Sequence, residues 1–310
     1  MIIKTHNEIV EFITQSHNQH QTVTTEKVTM TTLNEMQTHI LTEKDTAVLN
    51  YTNQFDQVKL TPQQLKVSST EIQTAHEQIA PQLLDVLTRA KQNIEIFHRH
   101  QIPKNWSQSP QSGVTYGMRY TPIERVCLYV PGGLAPYPST VLMDAIPAQL
   151  AGVKELIITT PPKQDGTIAP EILVAASLCG VTDIYKVGGA QAIFAVAYGT
   201  ESIPKVDKIV GPGNAYVAEA KRQVFGKVGI DSIAGPSEVL IVCDETANPD
   251  HVAIDLLSQA EHDELAQSIL ITTSKEIAKK VKFSVEKFLV EIPRSKIASS
   301  SWYDFGAIIL

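Results

Sequence analysis

The chain has 310 residues, 43% hydrophobic and 19% charged, with a formal net charge of -7; it is long enough for two domains, each with a core of its own. The acidic balance, with no extended block of Lys or Arg, argues against a nucleic-acid partner and for a small-molecule ligand. No run approaches the roughly 18 uninterrupted apolar residues of a membrane span, and "MIIKTHNEIVEF" at the N-terminus lacks the apolar stretch of a secretion signal, so cytoplasmic residence is the expectation.

In chain order, residues 5–17 and about 30–55 carry apolar positions at helical spacing. Residues 68–100 read as one long amphipathic helix, opened by a capping-box-like "STEI" or "TEIQ" and interrupted near Pro81. Residues 1–22 are expected to form a helical N-terminal arm. His98 and His100 invite reading as a metal pair, but a solvated helix C-terminus, where histidines complement the dipole, is the simpler account.

From about 114 the pattern changes to short β-branched runs alternating with helices. Strands are expected at "RVCLYV" (125–130), "ELIITT" (155–160), "DIYKV" (183–187), "KIVG" (208–211), "EVLIVC" (238–243), "SILITT" (268–273) and "GAIIL" (306–310). Helices are expected at 138–151, 168–179, 190–198, 214–226, 249–262 and 275–290. Continuous apolar strands alternating with helices imply parallel sheets covered on both faces, an α/β fold. The Gly- and Pro-rich "DSIAGPSE" (231–238) reads as the seam between two Rossmann-like parallel-sheet units. The three cysteines, Cys127, Cys179 and Cys243, are odd in number, far apart and set in apolar runs, which reads as buried free thiols.

Ligands of parallel α/β sheets bind where strands end and helices begin, because backbone N–H groups and helix N-termini point there. Three such loops stand out. "YVPGGLAPYPSTV" (129–141) offers Tyr129 and a Gly132–Gly133 pair, "VGGAQAIFAV" puts Gln191 behind Gly188 and Gly189, and "VGPGNAYVAEAKRQV" puts Asn214 at a helix start behind Gly211 and Gly213. None is G-x-G-x-x-G, and each alone is equally well a turn or a cap. Together they describe a cleft lined by backbone donors and neutral amides, suited to a dinucleotide or another polar ligand.

At the seam, Ser237 and Glu238 enter the next strand, either as a tight turn or as a substrate contact. Beyond it, "LLSQAEHDE" (256–264) sets Gln259 and His262 three apart, so on a helix they share a face. Zinc takes about four ligands and this stretch offers two. By spacing alone, a helix end accounts for the pair better than a metal site.

Four stretches in order, "YVPGGLAPYPSTVLM", "VGGAQAIFAVAYGTESIPKVDKIVGPGNAYVAEAKRQVFG", "IDSIAGPSEVLIV" and "DLLSQAEHD", closely resemble the histidinol dehydrogenase family. The likeness is strong from about 120 to 275 and weaker over the first hundred residues. It implies an NAD-dependent, zinc-containing homodimer that oxidises L-histidinol to L-histidinal and then to L-histidine, using two NAD in turn. By resemblance, Tyr129, Gln191 and Asn214 are NAD contacts, Ser237 is a substrate contact, and Gln259 and His262 are zinc ligands that also touch substrate. The implied domains are an NAD-binding one at 126–235 and one made of 23–125 plus 236–310 that carries the partial zinc and substrate site. The family's general base, the His of a Glu-His pair in a P-E-H-L motif, and its remaining zinc ligands, an Asp and a His, have no match, since His262 is the last histidine. The chain stops within the apolar run "FGAIIL", and truncation relative to the family is the expectation.

Overall fold

A computed structural model describes residues 2–3, 7–12, 14, 30–132, 136–233 and 237–310. A short strand, β1 (Ile2–Ile3), and a helix, α1 (residues 7–12), come first. Within the expected arm, residues 2–3 are extended and 7–12 helical; residues 1, 4–6, 13 and 15–22, and Gly133, lie outside the described residues. Next come α2 (Met30–Glu43), α3 (Asp45–Asp56), α4 (Pro62–Leu65), α5 (Ser69–Gln78) and α6 (Pro81–Arg99). The expected helix over 68–100 is two helices, because Pro81 lacks an N–H and starts α6 at its first position. The capping box runs from Ser68 to Glu71: Glu71 N donates to Ser68 Oγ at 3.2 Å, and Ser68 N donates to Glu71 Oε2 at 3.0 Å. At the end of α6, His98 Nδ1 meets Gln101 Oε1 at 2.7 Å, a helix-end contact.

An antiparallel hairpin follows, β2 (Trp106–Gln111) with β3 (Val114–Met118), which the sequence reading lacks. Every residue of both strands is exposed, so no apolar alternation marks them. Then come β4 (Arg125–Tyr129), α7 (Pro138–Leu150), β5 (Glu155–Thr160), α8 (Pro170–Leu178), β6 (Asp183–Lys186), α9 (Gly189–Tyr198), β7 (Lys208–Val210), α10 (Ala215–Val224) and β8 (Gly229–Ile230). Beyond the seam are β9 (Glu238–Cys243), α11 (Pro249–Ala260), β10 (Gln267–Thr272), α12 (Lys275–Leu289), α13 (Ser295–Phe305) and β11 (Ala307–Ile309).

The chain divides into two compact units, Val28–Ile233, and Met1–Lys27 with Ala234–Leu310. In the first, a parallel sheet has the order β6-β5-β4-β7-β8. The chain builds outward from β4 to β6, then returns to lay β7 on the other side of β4, which makes the β4/β7 boundary the topological switch point. Strand alternation splits the core in two. Cys127, Tyr129, Ile157 and Tyr185 face a cluster with Leu33, Met36 and Ile40 of α2, Val48 of α3, Phe194 of α9 and Val217 of α10. Val126, Leu128, Ile158 and Ile184 face the other, with Ala75 of α5, Leu87 of α6, Leu142 of α7 and Leu173 of α8.

These compact units group the chain differently from the expected domains. Residues 28–125 belong with 126–233, not with 236–310, because α2 and α3 cover one face of that sheet and α5 and α6 help cover the other. The join is reinforced by Val67 N donating to Ile184 O at 2.8 Å and by ion pairs from Lys66 to Asp183 and from Glu71 to Lys186.

The second unit has a parallel sheet in the order β1-β11-β10-β9. Helices α11, α12 and α13 cover one face, packing Leu256, Leu257, Val281 and Trp302 with Leu270 of β10 and Ile308 of β11. Phe12 of α1 packs with Ala307, Ile269 and Ile309.

Candidate functional site

The loops at the C-terminal ends of β4, β5, β6 and β7 open onto a cavity of about 1100 Å³, lined among others by Tyr129, Gly132, Pro161, Gly189, Gln191 and Asn214. Tyr129, Gln191 and Asn214, brought together from three separate loops, thus share one concave surface at the switch point. Its size is at the upper limit of the roughly 300–1,000 Å³ usual for ligand sites.

Tyr129, the last residue of β4, is buried, and its Oη accepts from Gly189 N at 3.0 Å. Burial pushes the phenol's pKa up, against the opposing Gly189 N–H, so Tyr129 is neutral and keeps its own proton to donate. Gly189 has φ 64°, a left-handed conformation costly for other residues, and opens α9 toward the cavity. Gln191, in the first turn of α9, is 2% exposed, which puts an amide with both donor and acceptor on an otherwise apolar helix.

Asn214 is the N-cap of α10, and its Oδ1 accepts from Val217 N at 3.1 Å. The capping reading is therefore correct, and it leaves Nδ2 as the donor Asn214 can turn to a ligand. The loop before it approaches β4 so closely that a Cβ on Gly211, φ 116°, would lie 2.1 Å from the Tyr129 carbonyl oxygen. A polar frame fixes that loop: Gly211 N donates to Asp231 Oδ2 at 2.8 Å, Lys221 Nζ donates to Gly211 O at 3.0 Å, and Lys221 also pairs with Asp231.

Two carboxylates here escape sequence reasoning. Asp144 of α7 lies beside Gly211, and its Oδ2 is buried with no hydrogen-bond partner among the described residues. Burial, then the charge of Asp231, raises its pKa to about 7 against the pull of Lys221. Asp56, at the end of α3, lines the cavity; its Oδ2 is also buried and unpartnered among the described residues, and burial raises its pKa to about 6. The available signal was an acid inside an apolar helical run, "VLMDAI", for Asp144; "NQFD" carries none for Asp56. Burial pushes the Cys127 thiol up to about 12 and that of Cys179 up to about 11, so both are unreactive at neutral pH.

Ser237, Gln259 and His262 lie in the other unit, at the N-terminal edge of its sheet. Ser237 precedes β9, and its carbonyl accepts from Gln267 N, the start of β10, at 3.1 Å. Gln259 is in the last turn of α11, while His262 lies just past the helix in a turn closed by its N–H donating to Gln259 O at 3.1 Å. The pair thus straddles a helix end instead of sharing a continuous helical face. Gln259 Nε2 is buried without a partner among the described residues, and His262 is exposed. Zinc needs about four donors, and among the described residues no group of three or more His, Cys, Asp or Glu is placed to hold a metal. These residues do not by themselves fit a zinc site, and no chemical step is assigned to the ion. No helix among the described residues is long and apolar enough to cross a membrane.

Fold and cavity define a parallel α/β protein with a cavity at its switch point. Residues 18–310 match the family model described as "Histidinol dehydrogenase". Histidinol dehydrogenase of Thermosynechococcus vestitus is 53% identical over 264 residues, 85% of this chain and 61% of that protein. That of Bradyrhizobium diazoefficiens is 55% identical over 266 residues, 86% of this chain and 62% of its own length. The crystal structure of histidinol dehydrogenase from Elizabethkingia anophelis superposes with a TM-score of 0.86 at 45% identity, over 90% of this chain and 64% of that one. The chain belongs to the histidinol dehydrogenase family, and it spans 61% to 64% of the length of these relatives.

Proposed function

We propose that the Val28–Ile233 unit binds NAD at the switch point, and that the protein serves the family's reaction, oxidation of L-histidinol through L-histidinal to L-histidine with two NAD in turn. The observation that carries this reading is the meeting of Tyr129, Gln191 and Asn214 around one cavity. In that role Tyr129 donates its phenolic proton, Gln191 reads an amide or hydroxyl, and Asn214 Nδ2 donates next to the N-terminus of α10, where phosphate oxygens are favoured. Ser237, Gln259 and His262 are the proposed substrate contacts; Gln259 and His262 would act as zinc ligands only with further donors to complete the shell, and the ion would then supply a Lewis acid that orients the substrate. The resemblance also implies a homodimer, checked by mass in solution.

Hydride transfer from an alcohol needs a base to take the hydroxyl proton, and such a base contributes about a hundred- to ten-thousand-fold. The base implied by the resemblance has no counterpart in these 310 residues. The purified 310-residue polypeptide is therefore expected to bind NAD, to make little or no NADH from histidinol, and to hold zinc only weakly. Calorimetry with NAD and with zinc, alongside absorbance at the NADH band, tests all three; no heat with NAD sinks the nucleotide reading, and brisk NADH production sinks the assignment of the base.

A further inference from the structure

Among the described residues, the side chains lining the cavity that are charged when ionised at neutral pH are one lysine, Lys163, and two carboxylates, Asp56 and Glu171. In dinucleotide-binding sheets the acid that holds the adenosine ribose hydroxyls usually stands at the end of the second strand. Here β5 is followed by Pro161, Pro162 and Lys163, with no acid at that spot. The next one, Asp165, is turned to its own loop, accepting from Thr167 N at 2.9 Å and Thr167 Oγ1 at 2.7 Å.

Asp56 differs from Glu171 in having a buried oxygen with no hydrogen-bond partner among the described residues. An unpartnered buried carboxylate oxygen is costly, and few occur without an external partner. Rotation about the soft terminal torsion of Asp exchanges its two oxygens, so either can turn to the cavity. A carboxylate accepts only, which matches the two hydroxyl donors of a ribose cis-diol and opposes a phosphate dianion.

We infer that Asp56, contributed by α3 from outside the strand-and-helix repeat, binds the ribose hydroxyls of the dinucleotide and makes the site select NAD against NADP. The inference rests on the NAD reading above. Burial, which lifts the carboxyl's pKa to about 6, leaves Asp56 ionised at pH 8.

The test is calorimetric titration of the whole chain with NAD and NADP at pH 8, for the unsubstituted protein and for Asp56→Asn and Glu171→Gln. The unsubstituted chain is expected to bind NADP about a hundredfold or more weakly than NAD, since like charges set together cost several kcal/mol. Asp56→Asn is expected to lose roughly tenfold in NAD affinity and to bring the two dinucleotides within about tenfold of each other. An unfolding temperature no lower than that of the unsubstituted chain shows that the variant is folded.

Discrimination unchanged in Asp56→Asn, or collapsing in Glu171→Gln instead, overturns the inference and leaves NAD binding standing. Equal binding of NAD and NADP by the unsubstituted chain does the same. No binding of NAD at all overturns the nucleotide reading and this inference with it.

Discussion

At the scale of single residues, Asn214 does two jobs that substitution can separate. Asn214→Ala removes the cap, a loss of about 0.5–2 kcal/mol, and the amide donor with it. Asn214→Asp keeps the cap, since Asp caps as well as Asn, but sets a charge where the proposed diphosphate lies. We expect Asn214→Asp to melt within a few degrees of the unsubstituted chain while losing NAD affinity by about tenfold or more; fluorescence titration beside thermal unfolding checks both.

Asp144 makes a prediction about pH. Its folded pKa is raised to about 7, above an unfolded value near 4, so between these limits the folded state holds more proton than the unfolded one. Its contribution to stability is therefore most favourable below about pH 4 and falls as pH rises toward 7. Asp144→Asn should flatten that part of the stability–pH curve and raise stability at pH 8 by on the order of a few kcal/mol. Urea midpoints at pH 5 and pH 8 read the difference, and an unaltered slope rules out Asp144 as its source.

At the scale of elements, α9 is buried on every side, as "GAQAIFAVAY" suggests, and Phe194 at its centre is fully buried. Phe194→Ala is expected to cost about 3–5 kcal/mol, read as a shift in denaturant midpoint with unchanged m-value. Lys221, itself buried, ties the Gly211 loop to α10, and replacing it with Met leaves the partly exposed Asp231 without its ion-pair partner and the Gly211 carbonyl without its donor. The cost should be about 3–5 kcal/mol, reduced by the extent to which Asp231 reaches water.

The strands and helices between 125 and 290, the two-residue β8 excepted, were legible because each pairs an apolar run with glycine or proline punctuation. The hairpin of 106–118 was not, since its side chains meet no core. Likewise α13 falls in "SKIASSSWYDF", where serines blur the helical period although Ala298, Ser301, Trp302 and Phe305 form its buried face.

For the whole molecule, the helices of 30–99 supply part of both cores of the five-stranded sheet. A polypeptide of residues 28–233 is thus expected to fold cooperatively and to retain NAD binding, whereas one of residues 126–233 should be molten, with the faces covered by α2, α3, α5 and α6 bare. Near-UV circular dichroism and amide exchange distinguish these outcomes, and a well-ordered 126–233 fragment contradicts the packing argument.

What the sequence determined by itself was local. Alternating apolar runs and caps specify parallel strands followed by helices, and the Gly-rich loops with Tyr129, Gln191 and Asn214 mark where a ligand would sit. Only the tertiary structure decided which helices cover which sheet, that these three residues share one cavity with Asp56 in its wall, and that Asp56 and Asp144 each carry one buried carboxylate oxygen. Periodicity records which face of an element is buried but not what buries it, and the pKa of a carboxyl depends on neighbours that only folding brings near.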